Sequence, residues 1–205
     1  MSIDRPAVRR HAIEKPPPEI GAAEHLRYIR DMMERSGSFT AVPGYGAIAM
    51  GTTALAAALI AAQQSSESMW LAVWLGEAAV AFVIGIAALT RKSRRVGVSL
   101  HSGPARKYFL SLVPPFLAGA LLTSALWQSN EVDLLPALWL LLYGAGTITG
   151  GAHSVKIIPI MGVLFMVIGT VALFAPAVWA DALLAASFGG LHIVCGWIIA
   201  RNHGG

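Results

Sequence analysis

Three polar side chains that can take up or release a proton lie within long apolar runs of this chain. Glu77 is the one acidic residue within such a run, and Tyr143 and His192 lie in two others. Counted at about 1.5 Å per residue from the ends of their runs, all three lie roughly 12 to 15 Å deep. A carboxyl, a phenol and an imidazole at one depth are the groups that a buried polar site or a proton relay uses.

The same three residues also have a structural interpretation. A protonated Glu77 would fasten two helices through a hydrogen bond, while Tyr143 and His192 would each bond a backbone carbonyl. Equal depth does not place the side chains on facing sides of their helices. A functional site requires that they face a common cavity, and the sequence leaves both interpretations open.

The apolar runs that must position these residues have the length of membrane spans. The chain is 56% hydrophobic and 13% charged, whereas soluble domains carry about 25% charged residues. A hydrocarbon layer of about 30 Å requires roughly 20 helical residues. We therefore predict an all-α polytopic membrane protein with six transmembrane helices in three hairpins, over residues 42–62, 69–89, 108–127, 134–151, 157–175 and 182–200.

Basic residues all fall on one side of the predicted membrane. If the N-terminus is inside, the cytoplasmic segments hold all 15 Lys and Arg residues, and the opposite segments hold none. The positive-inside rule therefore predicts a multi-pass protein of the cell (inner) membrane with both termini cytoplasmic. The basic composition then has a membrane cause, so we expect no nucleic-acid partner.

The densest group of basic residues lies in the predicted cytoplasmic loop 90–107. Such a stretch anchors the topology and contacts anionic lipid headgroups in the bilayer, or else it binds a partner. Its candidate residues are Arg91, Lys92, Arg94, Arg95, Arg106 and Lys107.

The region before the first span divides into two parts. Residues 1–20 contain a run of three prolines and are predicted to be an extended or disordered leader. Residues 21–41 are predicted to form a cytoplasmic amphipathic helix and a turn, followed by the transmembrane domain 42–200 and a cytoplasmic tail 201–205. The polar face of that helix balances its charges, which favours docking on protein over adsorption to lipid. Its apolar face comprises Leu26, Ile29, Met32 and Met33.

Motifs for catalysis or cofactor binding are absent from the sequence. It has no nucleophile motif, phosphate loop, dinucleotide fingerprint or metal-ligand spacing. His153 and His192 lie at different depths, so one haem iron would not reach both. We predict that the protein is not an enzyme and has no catalytic residue, cofactor or metal site.

The glycine pattern of the last predicted hairpin resembles a known family. The stretch from Gly162 through Gly169 to Pro176, with the glycine-studded helix up to Gly196, is similar to one hairpin of the HdeD-like acid-resistance membrane proteins. That family is built from three short hairpins, and the first two hairpins here match it only in layout. The basic loop and the N-terminal helix depart from its pattern. The resemblance implies a stress-related envelope protein and assigns no catalytic residue.

Two functions are consistent with these patterns. We favour a non-enzymatic accessory or regulatory module that binds a membrane or cytoplasmic protein through its cytoplasmic face. The alternative is a small transporter or proton-linked channel that uses Glu77, Tyr143 and His192. Either function is compatible with a homo-oligomer.

Overall fold

The computed structural model describes residues 21, 24–29, 32, 37 and 39–203. Within those residues the regular structure is helical, and six helices are long and apolar enough to cross a membrane. The prediction of an all-α, six-span protein is therefore confirmed. The six helices are α1 (Gly44–Ala61), α2 (Glu67–Val96), α3 (Gly103–Gln128), α4 (Val132–Gly151), α5 (Ile157–Phe174) and α6 (Ala177–His203).

The N-terminal part of the chain forms a unit of its own. The chain divides into one compact unit up to Met33 and a second from Glu34 onward, which we treat separately. In the first unit residues 24–29 and residue 32 are helical, within the segment predicted to be amphipathic. The predicted leader 1–20 and the apolar residue Met33 lie outside the described residues.

Helix α2 is longer than its apolar run. The sequence predicts a loop from residue 90, whereas the helix continues through Val96, and α3 begins at Gly103. Two basic residues, Arg94 and Arg95, lie in its last turn, where positive charge is favoured by the helix dipole. The helix then ends at Gly97, whose φ of 67° is the left-handed conformation that glycine adopts most easily.

Glycines bring two pairs of helices into backbone contact. A Cβ atom added to Gly144 of α4 would lie 2.7 Å from the carbonyl oxygen of Gly162 of α5, and the reverse substitution would give the same distance. In the second pair, a Cβ on Gly51 of α1 would lie 2.6 Å from the carbonyl oxygen of Gly189 of α6. Small residues permit this approach between membrane helices. The α1–α6 and α4–α5 pairs therefore form the centre of the bundle.

The other two helices lie outside this centre. Helix α2 packs on α1 and α3 packs on α4, but α2 and α3 make at most slight contact with each other. They are also the least buried of the six helices. Exposed apolar side chains such as Phe82 on α2 and Leu117 on α3 cover their outer surfaces, as lipid contact requires.

The two ends of the bundle differ in charge. The end at which α2 finishes and α3 begins has exposed basic residues, and we call it the basic end. The opposite end, at which the α1–α2, α3–α4 and α5–α6 links lie, has the acidic residues Glu67, Asp133 and Asp181 around a cavity, and we call it the acidic end.

The glycine contact between α4 and α5 can be tested by adding one methyl group. We expect Gly162→Ala to lower the free energy of unfolding by about 1–3 kcal/mol, because the new Cβ must push against the backbone of α4. The matched control is Gly76→Ala on α2, where a Cβ would meet no atom within 4 Å. Denaturation midpoints in detergent measure both. Equal midpoints for the two variants would show that the close approach contributes little to stability.

Candidate functional site

A tyrosine and a histidine form a hydrogen-bonded pair inside the bundle. The Tyr143 hydroxyl of α4 lies 2.6 Å from Nε2 of His192 of α6. His192 is only 4% exposed, and Tyr143 is partly buried. The structure therefore brings two of the three intramembrane candidates into direct contact.

Aromatic rings surround this pair. The Tyr143 ring lies 4.7 Å from Phe165 of α5, 5.1 Å from Phe188 of α6 and 5.7 Å from Phe116 of α3, measured between ring centroids. The His192 ring stacks on Phe188 at 6.2 Å. Side chains from four helices thus shield the hydrogen bond, and low local polarity strengthens it electrostatically.

The backbone before His192 departs from regular α-helix. Residues Ala185–Leu191 form a π-helical stretch within α6, and His192 follows it directly. Gly189 within this stretch packs against α1, since its Cβ would contact Leu55. π-Helical insertions widen a helix by one residue per turn and occur frequently at functional sites. Here Gly189 of the stretch faces α1. Phe188 of the stretch, and His192 directly after it, contact Tyr143.

The second nitrogen of the His192 imidazole, Nδ1, has different surroundings from Nε2. Nδ1 of His192 is buried and has no hydrogen-bond partner among the residues that the structure describes. Ser187 and Phe188, one turn earlier in α6, bring backbone carbonyl groups near the imidazole. With the proton on Nδ1, the Tyr143 hydroxyl donates to Nε2, and with the proton on Nε2 the imidazole donates to the hydroxyl. In either arrangement the pair can pass a proton between phenol and imidazole.

Glu77 belongs to a different place in the bundle. The Thr53 hydroxyl of α1 donates to its Oε1 at 2.8 Å. Among the described residues, no hydrogen bond joins Glu77 to Tyr143 or His192. This carboxyl therefore fastens α2 to α1, as in the structural interpretation, and the three candidates do not form one hydrogen-bonded site.

The basic residues of the predicted loop divide into two kinds. Lys92 is only 4% exposed, and its Nζ donates to the carbonyl oxygens of Val42 and His203, both at 2.9 Å. It thus ties α2 to the chain before α1 and to the last turn of α6, because α2 continues as a helix where a loop was expected. The exposed members are Arg91, Arg94, Arg95, Arg106 and Lys107.

The apolar face of the N-terminal helix is exposed. Leu26 is 66% exposed, Ile29 is 49% exposed and Met32 is 46% exposed. Glu24 and Arg27 on the same helix are exposed and opposite in charge. The described part of this segment therefore presents both an apolar surface and a charge-balanced one.

A group of contacts at the acidic end was not foreseen as a unit. The indole N–H groups of Trp70 and Trp74 donate to the same oxygen of Asp181, at 2.8 Å and 3.1 Å. The Trp70 ring stacks on Trp139 with centroids 5.6 Å apart. The spacing of Trp70 and Trp74 by four residues signals a shared helix face, but it does not identify the acceptor that they share. Their acceptor on α6 is 107 to 111 residues away in sequence.

A cavity of about 240 Å³ opens beside this group at the acidic end. Its lining includes Glu67, Trp70, Asp133 and Asp181. Within the described ranges, no three His, Cys, Asp or Glu side chains come close enough together to hold a metal ion.

Comparison with known family models, with curated protein sequences and with solved structures found no match to this chain. The resemblance to HdeD-like hairpins therefore stays a prediction. Interpretation of the site depends on the geometry described above.

The hydrogen bond between the two side chains predicts a specific double-mutant cycle. Tyr143→Phe removes the hydroxyl, and we expect it to cost about 1–3 kcal/mol of unfolding free energy because Nε2 of His192 loses its partner. His192→Phe should cost a similar amount. The double variant should cost clearly less than the sum, since the two polar groups bond each other.

Unfolding midpoints in detergent measure the cycle, with Tyr45→Phe as the control. Tyr45 is 67% exposed, so loss of its hydroxyl should leave the midpoint unchanged. Strictly additive costs for Tyr143 and His192 would mean that the two side chains do not interact in the folded protein.

Proposed function

We propose that this chain is a non-enzymatic accessory or regulatory module of the cell (inner) membrane that binds a partner protein through its cytoplasmic face. Six apolar helices make it an integral membrane protein by length and composition. The observation that carries the proposal is the exposed apolar face formed by Leu26, Ile29 and Met32 on the helix before the first span.

The distribution of charge supports the orientation. The exposed basic residues Arg91, Arg94, Arg95, Arg106 and Lys107 lie at the basic end, and the acidic residues around the cavity lie at the other end. Basic residues are retained on the cytoplasmic side during insertion. We therefore place the basic end and both termini in the cytoplasm, with the exposed basic side chains against anionic lipid headgroups.

The chemistry of the N-terminal helix supports a protein partner. Exposed leucine and isoleucine side chains gain about 25 cal/mol for each Å² of apolar surface removed from water. A helix that adsorbs to lipid usually carries an excess of Lys and Arg on its polar face. Here Glu24 and Arg27 offset each other, so the apolar face fits a groove on another protein.

The binding proposal predicts a loss of co-purification with unchanged membrane insertion. We expect Leu26→Ser combined with Ile29→Ser to abolish recovery of the partner in mild detergent, because the apolar anchors of the helix are removed. Deletion of residues 21–38 should have the same effect. Affinity isolation with identification of bound proteins and lipids measures the outcome.

The matched control for that experiment changes the polar face of the same helix. Glu24→Ser combined with Arg27→Ser removes two opposite charges and leaves the apolar side chains in place. We expect this variant to retain its partner. A partner that stays bound after the Leu26 and Ile29 substitutions would refute the proposal.

A second candidate function rests on the Tyr143–His192 pair. A small proton-linked transporter or channel needs a proton acceptor within the membrane, and a buried imidazole bonded to a phenol is such a group. The surrounding phenylalanine rings leave this pair tightly enclosed, so transport requires that the bundle open.

This candidate makes its own prediction in reconstituted liposomes. Under an imposed membrane potential, the native protein would carry protons at a rate above that of protein-free liposomes, and His192→Phe would reduce the rate to that background. A pH-sensitive dye inside the liposomes measures the flux, with Phe174→Ala as a control at an 82% exposed position. Flux that does not depend on His192 would eliminate this function.

A further inference from the structure

The segment just before α1 lies at the basic end of the bundle, where three of its five residues, Phe39, Ala41 and Val42, are buried. We call residues 39–43 the strap. Phe39 is 1% exposed and Ala41 is 0% exposed, although neither belongs to a helix. Burial of this degree is unusual for a segment that connects other elements.

Phe39 packs in an apolar cluster at the basic end of the bundle. Its ring lies 5.4 Å from Tyr108 and 6.1 Å from Phe109 of α3, measured between centroids. The same apolar cluster contains one or more residues from α2, α5 and α6, together with the α4–α5 link: Leu89, Val155, Ile158 and Ile199. One side chain thus contacts a cluster that joins four helices at this end.

A few polar contacts hold the strap in place. The Phe39 N–H donates to the carbonyl oxygen of His153 at 2.7 Å, and the Ser154 hydroxyl donates to the Phe39 carbonyl oxygen at 2.6 Å. Lys92 donates to the Val42 carbonyl oxygen at 2.9 Å. The pairing of Phe39 with Ser154 is a single bridge and not part of a sheet. Phe39 can therefore be released without breaking a hydrogen bond within a helix.

The position of the strap matters because α2 and α3 hardly touch each other. At the acidic end, an apolar cluster connects the two helices. It contains Leu71 of α2 with Val132 and Leu135 of α4, and Leu126 of α3 packs against it. At the basic end the cluster around Phe39 contains Leu89 of α2 and Ala105 of α3. Without Phe39, this cluster loses its largest fully buried side chain.

We propose that the strap is a releasable closure: while Phe39 is seated, the bundle is sealed at its basic end, and release of Phe39 opens a route to Cys195 and onward to the Tyr143–His192 pair. The route follows one helix. Ile199 of α6 belongs to the apolar cluster around Phe39. Cys195 lies one turn deeper in the bundle, and His192 lies about one turn deeper again. The inference concerns residues 39–203 and does not depend on the partner proposed above.

Cys195 provides a direct test because it is the single cysteine of the chain and is 3% exposed. A membrane-impermeant maleimide applied to sealed vesicles of either orientation should label the native protein very slowly. Phe39→Ala should raise the labelling rate by about tenfold or more, because the rate follows the population of the open state. The increase should occur only when the basic end faces the reagent.

Two control variants separate release of the strap from general loosening. Phe82→Ala makes the same chemical change at a 67% exposed position on α2 and should leave the rate unchanged. Gly162→Ala acts at the α4–α5 backbone contact and changes no residue of the strap or of the cluster around Phe39, so it should not produce labelling confined to the basic end. Cys195→Ser measures the background.

A milder variant covers the case in which Phe39→Ala fails to fold. Ser154→Ala removes one hydrogen bond to the strap and leaves its apolar contacts intact, so we expect a smaller increase with the same sidedness. Labelling that stays at the native rate in the folded strap variants, or that rises equally from both sides, would overturn the proposal.

Discussion

The structure depends on the direct contact of helix backbones at glycine. Within a membrane, lipid chains are as apolar as leucine, so helices gain little from mutual burial and associate through close packing. At Gly144 and Gly162 the approach is so close that a single methyl group on either would meet the carbonyl oxygen of the other at 2.7 Å. The same holds where Gly44 and Gly51 of α1 face α6. These contacts fix α1 against α6 and α4 against α5, and the other helices pack around them.

The polar centre follows from this arrangement. Because α6 is held against α1 at Gly189, its π-helical stretch leads into His192 on the side that faces Tyr143 of α4. Burying a polar group costs free energy unless it is hydrogen-bonded, and the 2.6 Å contact supplies a partner for the Tyr143 hydroxyl and for Nε2 of His192. The same principle explains why Thr53 bonds Glu77, and why Asp181 accepts from two indole groups. The Tyr143–His192 bond and the bonds to Asp181 join helices that do not follow one another in the chain. The Thr53–Glu77 bond joins the two helices of one hairpin.

The two proposed functions use different parts of this molecule. The partner-binding module uses the N-terminal helix and the basic end, while the transporter uses the enclosed Tyr143–His192 pair. The strap lies between the N-terminal segment and α1 along the chain, and Phe39 belongs to the apolar cluster at the basic end. If the strap is the releasable closure proposed above, a partner that displaces it would alter access to the centre. This coupling requires a two-state element, and a segment held by one bridge and a few hydrogen bonds is suited to that role.

The sequence by itself determined the number of membrane helices and the segregation of basic residues, because length and hydropathy are local properties of the chain. It also identified Tyr143 and His192 by type and depth. Only the tertiary structure decided that these two meet while Glu77 bonds Thr53, because depth along a helix says nothing about the direction a side chain faces. The burial of Lys92 and Phe39 was likewise hidden, since each depends on carbonyls or rings that are distant in sequence. The glycines of the sequence do not show which helices they join. In the structure they bring α1 against α6 and α4 against α5, and that choice of partner is a long-range property that no local pattern encodes.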